Sequence, residues 1–320
     1  MSERILVTGG CGLIGSSVVE RALERGHAVT VLDNLSTGRR ENLSAHARLD
    51  IVVGDVCDDA LVGSLVRRVE RVVHLAAGVG VGLVLARPTG LLRQALLGTE
   101  SVLRHAAAAR RPLFFASSSE VYGENDGSPL REDRCLGFGS SERIRFTYAA
   151  GKAAGEALAF AYAHEYSLPV VVGRFFNVTG PRQTADYGAV VPNLIAQAVA
   201  GGPLRIHGDG QQTRSFIAAE DAAEYVLRLL EAAPAGGLLV NVGRQDPVSI
   251  LGLAHRIRML VDPALEVREV APAYGQGFAA IRHRVPDVER LRRWTGYLPR
   301  RGLDEILRAS LSRQRKQLNR

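Results

Sequence analysis

Tyr148 and Lys152 stand four residues apart in Y-A-A-G-K, at the start of a run (A-A-G-E-A-L-A-F-A-Y-A) with the composition of a helix. That spacing puts both side chains on one helical face. A phenol with an unperturbed pKa of about 10 is a poor base near neutrality, and bringing it to about 7 takes roughly 4 kcal/mol of preferential phenolate stabilisation. A neighbouring ammonium supplies part of it. Composition singles out this amine: the basic residues are almost all arginine, with lysine only at Lys152 and Lys316, so position 152 calls for an ammonium rather than a guanidinium. Upstream, S-S-S-E-V-Y-G at 117–123 closes the apolar run P-L-F-F-A with three hydroxyls and a carboxylate. Ser118 would give a second hydrogen bond to a hydroxyl held by Tyr148. Glu120 is either a proton acceptor or a loop residue that caps or pairs with an arginine.

T-G-G-C-G-L-I-G, residues 8–15, follows the strand pattern R-I-L-V-T and precedes the helix pattern S-S-V-V-E-R-A-L-E-R-G. Placement between strand and helix gives a glycine-rich motif its meaning. Gly9 permits the tight turn, Gly12 lets backbone amides reach a pyrophosphate at the helix N-terminus, and Gly15 lets helix and strand pack closely. Asp33 ends the second strand, where its carboxylate would hold both ribose hydroxyls and repel a 2′-phosphate, so NAD is expected. Arg39 and Arg40 are the residues that argue for NADP instead. Asp55, ending the third strand, is expected at the adenine. A bound nicotinamide would add its positive charge to that of Lys152 beside the phenol.

Short Val/Ile/Leu-rich runs (R-I-L-V-T, A-V-T-V-L-D, L-D-I-V-V-G-D, R-V-V-H-L-A, P-L-F-F-A-S, P-V-V-V-G-R-F) alternate with helical patterns. The alternation predicts an α/β fold, a Rossmann-type doubly wound parallel sheet buried on both faces. After Asn177 helices alternate with P-L-R-I-H, L-L-V-N-V and E-V-R-E-V, which predicts a smaller C-terminal α/β substrate-binding lobe. The expected division is an NAD-binding domain over 1–176 and a lobe over 177–320, with the chain able to cross between them.

The longest apolar runs are short or interrupted by glycine, so no membrane span is expected. The N-terminus enters a strand pattern without a basic and apolar leader, so a soluble, cytoplasmic protein is expected. Three widely spaced cysteines, Cys11, Cys57 and Cys135, support neither a disulfide framework nor a metal site. A net charge of +7 is spread over scattered arginines, and aromatic residues make up only 6%, so no nucleic-acid partner is expected.

T-G-G-C-G-L-I-G, D-N-L-S-T-G, H-L-A-A, S-S-S-E-V-Y-G, Y-A-A-G-K, R-F-F-N-V-T-G-P-R-Q, G-D-G-Q-Q-T-R and R-V-P-D-V together resemble the extended short-chain dehydrogenase/reductases, the NAD-dependent nucleotide-sugar epimerases and dehydratases. The resemblance covers nearly the whole chain, in the family's order. It implies that bound NAD oxidises a sugar hydroxyl, usually at C4, with Tyr148 as base, and later returns the hydride. The implied cofactor site is Gly9, Gly12, Leu13, Ile14, Gly15, Asp33, Asn34, Ser36, Thr37, Gly38, Asp55, Val56, Leu75, Ala76, Ala77, Tyr148, Lys152 and Phe175. The implied substrate site, for a UDP-linked sugar, is Ser118, Ser119, Glu120, Asn177, Val191, Arg214 and Arg284, with Asn177 and Arg214 at the diphosphate. A homodimer packed through helices is also implied. Two positions depart from the family: Ala95 stands where it usually has Asn before G-T, and Cys11 replaces Ala in the glycine-rich loop.

Glu120 then bears on the reaction. A C4 ketone acidifies the C5 hydrogen; 4-epimerases need no carboxylate here, whereas the similar 4,6-dehydratases carry Asp-Glu where this chain has Ser119-Glu120. Ser-Glu is also the pattern of the UDP-glucuronate decarboxylases, which have an Arg matching Arg284. With Glu120 as C5 base and no Asp, oxidation at C4 of a UDP-hexose or UDP-hexosamine and elimination of water across C5–C6, with hydride returned to the sugar at C4 or C6, is the expected reaction; return to C4 would leave a 5,6-alkene, as in the UDP-N-acetylglucosamine 5,6-dehydratases of antibiotic assembly. Decarboxylation and 4-epimerisation are the alternatives. A non-catalytic NAD-binding regulator is a further one, disfavoured because Tyr148 and Lys152 are both present.

Overall fold

A computed structural model describes residues 2–318 apart from 124, 126, 128, 138, 141, 187 and 272–280. Its main sheet has seven parallel strands, β1 (Arg4–Thr8), β2 (Ala28–Asp33), β3 (Leu49–Val53), β4 (Arg71–His74), β5 (Leu113–Ser118), β6 (Val170–Phe175) and β11 (Leu238–Val242), in the order β11-β6-β5-β4-β1-β2-β3. The runs are apolar on both faces because helices cover both: Leu6 and Val7, facing opposite ways from β1, are each fully buried. From β1 the chain winds outward to β2 and β3, then starts again on the other side at β4. Ligands bind at such a reversal, beyond the carboxyl ends of the strands.

The helices on this sheet are α1 (Leu13–Glu24), α2 (Asp59–Val66), α3 (Val81–Ala86), α4 (Pro88–Arg93), α5 (Thr99–Ala108) and α6 (Thr147–Tyr166), with a π-helical turn at Gln94–Gly98 between α4 and α5. Small residues bring α6 close to the sheet. A Cβ on Gly155 would come within 2.5 Å of the Phe115 ring, and one on Gly151 within 3.1 Å of Ala95. The Ala95 methyl thus lies against α6.

The smaller lobe packs α7 (Val190–Val199), α9 (Ile250–Val261) and α11 (Leu303–Leu318) around a separate core that includes Leu194, Leu253 and Leu307. Its strands are short: β8 (Leu204–His207) pairs with β13 (Val267–Val270), and β9 (Thr213–Ser215) lies between β12 (Pro247–Ser249) and β14 (His283–Arg284). β7 (Val178–Thr179) and β10 (Ile217–Ala218) form a parallel pair. L-L-V-N-V, expected in this lobe, is instead the edge strand β11 of the main sheet. Its Val240 and Val242 are fully buried, and a strand that apolar is satisfied beside β6 rather than on a small lobe. Helix α8 (Ala219–Glu231) returns with it and packs on α1. Among the described residues no helix is long and apolar enough to cross a membrane.

Asp221, buried in α8, accepts hydrogen bonds from the Tyr297 hydroxyl at 2.5 Å and from the Arg300 and Arg301 amides at 3.0 and 3.1 Å. It thereby anchors the chain between α10 (Glu289–Thr295) and α11. Asp221→Ala leaves these donors without an acceptor and is expected to cost about 3 kcal/mol, measured by urea unfolding. Asp221→Asn, which keeps one oxygen, loses less.

Candidate active site

A cleft of about 840 Å³ runs across the carboxyl ends of the main sheet and under the smaller lobe. Every expected site residue borders it except Asp55 and Val191. Asp55 accepts from the side-chain amide of Asn34, just after β2, at 2.8 Å and from the backbone amide of Cys57 in its own loop at 2.9 Å. Val191 points into the core of the smaller lobe, while Val190 and Asn193 on the same helix face the cleft. The helical phase, which a single aligned position does not reveal, decides this.

The glycine loop fits a dinucleotide. Gly9 has φ +71°, and a Cβ there would lie 2.8 Å from the Ala76 amide. On Gly15 it would meet the Gly9 carbonyl at 2.1 Å, so helix and strand touch through bare backbone. A Cβ on Gly12 would meet only the Gly9 carbonyl, at 3.3 Å, which leaves room beside the α1 N-terminus for the pyrophosphate on the amides of Leu13 and Ile14. Asp33 is buried, with Oδ2 accepting from the Cys11 amide at 2.9 Å and Oδ1 from the Leu35 amide at 2.8 Å. These bonds hold the carboxylate in one orientation, with lone pairs left for ribose hydroxyls. Cys11 is buried among apolar residues of the core, where burial pushes its thiol up to about 11.

At the other end of the cleft, Tyr148 is hydrogen-bonded to Ser118, and Lys152, four residues on, donates from Nζ to the Ala116 carbonyl at 2.6 Å. That Nζ lies 5.9 Å from the Tyr148 ring centroid and 5.0 Å from that of Phe115. Burial pulls the Lys152 ammonium down to about 8, opposed by Glu156. Burial also pushes the Tyr148 phenol well above its ordinary range; the Ser118 hydrogen bond and Arg284 pull the other way, and Glu120 adds to the rise. The protein by itself therefore leaves this phenol a harder acid to ionise than free tyrosine. The positive charge of a bound nicotinamide is the compensation it requires.

Glu120 does pair with an arginine. Its Oε1 lies 2.8 Å from Arg284 Nη2, and although burial pushes the carboxyl up, Arg284, Arg145 and Arg214 together hold it below the ordinary range. The Arg284 Nε–H is buried without an acceptor among the described residues. Arg214 lies beside Arg284 in the β9–β14 ladder; burial and the Arg284 charge pull its guanidinium down to about 9. It donates to the Thr213 carbonyl at 2.8 Å and forms no ion pair with a carboxylate of the described residues. A partly buried cation in that state is stabilised by an anion. Asn177, at φ 36°, uses its side-chain amide to hold the Ser215 carbonyl at 3.0 Å, fastening the end of β6 to β9.

Sequence reasoning missed Arg145, Arg182, Arg205, His207 and Gln94, all bordering the cleft. Arg145 lies three residues before Tyr148, a spacing that was available as a signal. Arg182 reaches Glu20 and the Ser16 hydroxyl on α1, a contact across lobes with no local signature.

Residues 5–243 match the NAD dependent epimerase/dehydratase family. A UDP-N-acetyl-alpha-D-glucosaminuronate decarboxylase of Bacillus cytotoxicus is 33% identical over 317 residues, 97% of either chain. UDP-glucuronic acid decarboxylase 3 of Arabidopsis thaliana is 32% identical over 95% of this chain and 86% of its own. Among solved structures, the UDP-glucose 4-epimerase of Thermus thermophilus in complex with NAD superposes with a TM-score of 0.86 at 30% identity, covering 98% of this chain and 99% of its own.

Asp33→Ala is expected to cost about 2 kcal/mol of NAD binding, a loss in affinity of roughly thirtyfold, and to narrow the preference over NADP; calorimetric titration with both dinucleotides measures this. The glycine loop, the buried Asp33 and the paired Tyr148 and Lys152 agree with the similarity along the chain: this protein belongs to the NAD-dependent epimerase/dehydratase family and uses NAD.

Proposed function

We propose that this chain decarboxylates a UDP-linked uronic acid. The observation that carries the reading is Arg284: one edge holds Glu120, while its Nε–H is buried without an acceptor among the described residues. An unpaired buried donor is costly, and an anionic C5 substituent offsets that cost better than a neutral hydroxymethyl group. The similarity to uronate decarboxylases over nearly the full chain supports the same reading.

NAD, when bound, supplies reversible two-electron oxidation of the sugar at C4. Tyr148 takes the C4 hydroxyl proton, and Ser118 holds the same oxygen. With C4 a ketone the substrate is a β-keto acid: the C5–C6 bond breaks, its electron pair moves into the C4 carbonyl, and carbon dioxide leaves without a base. A proton then returns to C5, the two electrons withdrawn at C4 are restored there, and Tyr148 gives its proton back to the C4 oxygen, so that the net change is loss of carbon dioxide alone. Ionised Glu120 has a task here after all, holding Arg284 against the departing carboxylate.

Dehydration across C5–C6 of a UDP-hexosamine, the reaction expected from Ser119 and Glu120, is the second reading. Glu120 stays a carboxylate and so is able to accept the C5 proton. The three arginines that keep it ionised also make it a weaker base, which ranks this reading below the first. A 4-epimerisation makes no use of Glu120.

We also infer a homodimer packed through α5 and α6, near which Leu97 and Tyr166 are exposed apolar residues; sedimentation equilibrium is expected to give twice the chain mass. With UDP-glucuronate and UDP-N-acetylglucosaminuronate, mass spectrometry is expected to find loss of one carbon dioxide, and none of water from UDP-N-acetylglucosamine. Loss of one water from the hexosamine, with the uronates untouched, would establish the second reading; unchanged mass with inverted C4 would establish epimerisation. Arg284→Gln is expected to lower kcat/KM on the uronate by roughly a hundredfold.

A further inference from the structure

Behind the reactive residues lies a buried polar frame that the chemistry above does not use. Glu156, one helical turn beyond Lys152 on α6, is gripped by Arg174 through two bonds, Nε to Oε1 at 2.9 Å and Nη2 to Oε2 at 2.7 Å. The Ser117 hydroxyl donates to the same Oε1 at 2.5 Å. The Arg174 guanidinium stacks 4.6 Å over the Tyr122 ring and donates to the Glu132 carbonyl. Tyr122 in turn donates to Asn241 on β11 at 2.7 Å. Ser117, Glu156 and Arg174 are each at most 5% exposed.

Four members of this frame each neighbour a reactive or cleft-lining residue in sequence. Ser117 precedes Ser118, Tyr122 shares a turn with Glu120, Glu156 follows Lys152 on α6, and Arg174 precedes Phe175. A buried pair without such a duty is commonly no more stabilising than apolar residues of the same size. We propose that the Glu156–Arg174 pair is a positioning element of the active site: it holds the strand end, turn and helix that present Ser118, Glu120 and Lys152, and its balanced charges set the potential there.

Other groups face the same place. Tyr148 is met by Ser118, Glu120 and Arg284; Lys152 by Glu156, the Ala116 carbonyl and the Phe115 ring; and His74, which burial keeps neutral with a pKa of about 3, lies nearby. Glu156 is the carboxylate that acts on Lys152, and Arg174 neutralises it. Removing either partner leaves the other's charge unbalanced beside Lys152, and by Coulomb's law the two removals change the potential with opposite sign along α6 toward the phenol two turns away. A frame that only stabilised the fold would not distinguish the two.

The inference rests on Tyr148 ionising beside bound NAD, a step common to every reaction above, and not on which of them follows. Its test uses no sugar. The Tyr148 phenolate is titrated by ultraviolet absorbance in the NAD-bound protein, subtracting the Tyr148→Phe form of each background. Glu156→Gln, leaving Arg174 unbalanced, is expected to move the midpoint to lower pH by on the order of one unit, and Arg174→Gln to move it up by on the order of one unit. The double variant is expected near the parent. Glu156→Gln keeps an oxygen for Arg174 and decides alone if Arg174→Gln does not fold. An unmoved midpoint in Glu156→Gln, or a shift of both single variants in one direction, overturns the proposal; inactivity toward uronates would overturn the decarboxylase reading and leave this titration valid.

Discussion

The ion pair between Glu120 and Arg284 joins the turn after β5 to the strand β14 of the smaller lobe, and the chemistry of the cleft depends on that closure. It brings the β9–β14 ladder, with Arg214 and Arg284 side by side, over the ends of the parallel strands. It also sets what Glu120 is. A carboxyl desolvated alone in a cleft rises toward neutrality and becomes an acid; beside three guanidinium groups it remains a carboxylate.

The same accounting explains why the site needs ligands to be complete. The phenol of Tyr148 is pushed up by burial, the amine of Lys152 and the guanidinium of Arg214 are pulled down, and one donor of Arg284 has no acceptor among the described residues. Each is a cost that the fold bears for want of an opposite charge or a lone pair. A nicotinamide cation, a diphosphate and an anionic sugar substituent would relieve them in turn. Three other buried polar groups are satisfied internally: His74 between the Thr8 and Thr99 hydroxyls, Asp221 on Tyr297 and two amides, Glu156 on Arg174 and Ser117.

Much of the sheet was legible in the sequence because parallel strands buried on both faces read as continuous apolar runs. The runs at Arg4, Ala28 and Leu49 start where the strands do. L-L-V-N-V was legible as a strand but not as a member of the main sheet, since composition is the same at either address and only the crossover through α8 decides it. The two-residue strands β7, β10 and β14 carry no periodicity to read. Similarly, Asp55 was expected at the adenine from its place at a strand end and Val191 from the resemblance alone; Asp55 is held by Asn34 and Cys57, and Val191 packs into the core of the smaller lobe.

What the sequence determined by itself is the local chemistry: a glycine loop between strand and helix, an aspartate at a strand end, a phenol and an amine one turn apart, because those relations are fixed by backbone geometry over a few residues. The tertiary structure decided the state of each group. Whether Glu120 is charged, whether Arg284 has a donor to spare and whether Glu156 is neutralised are set by partners far away in the chain, at distances that no local pattern encodes. Electrostatic energies depend on separation and burial, and both are properties of the folded chain.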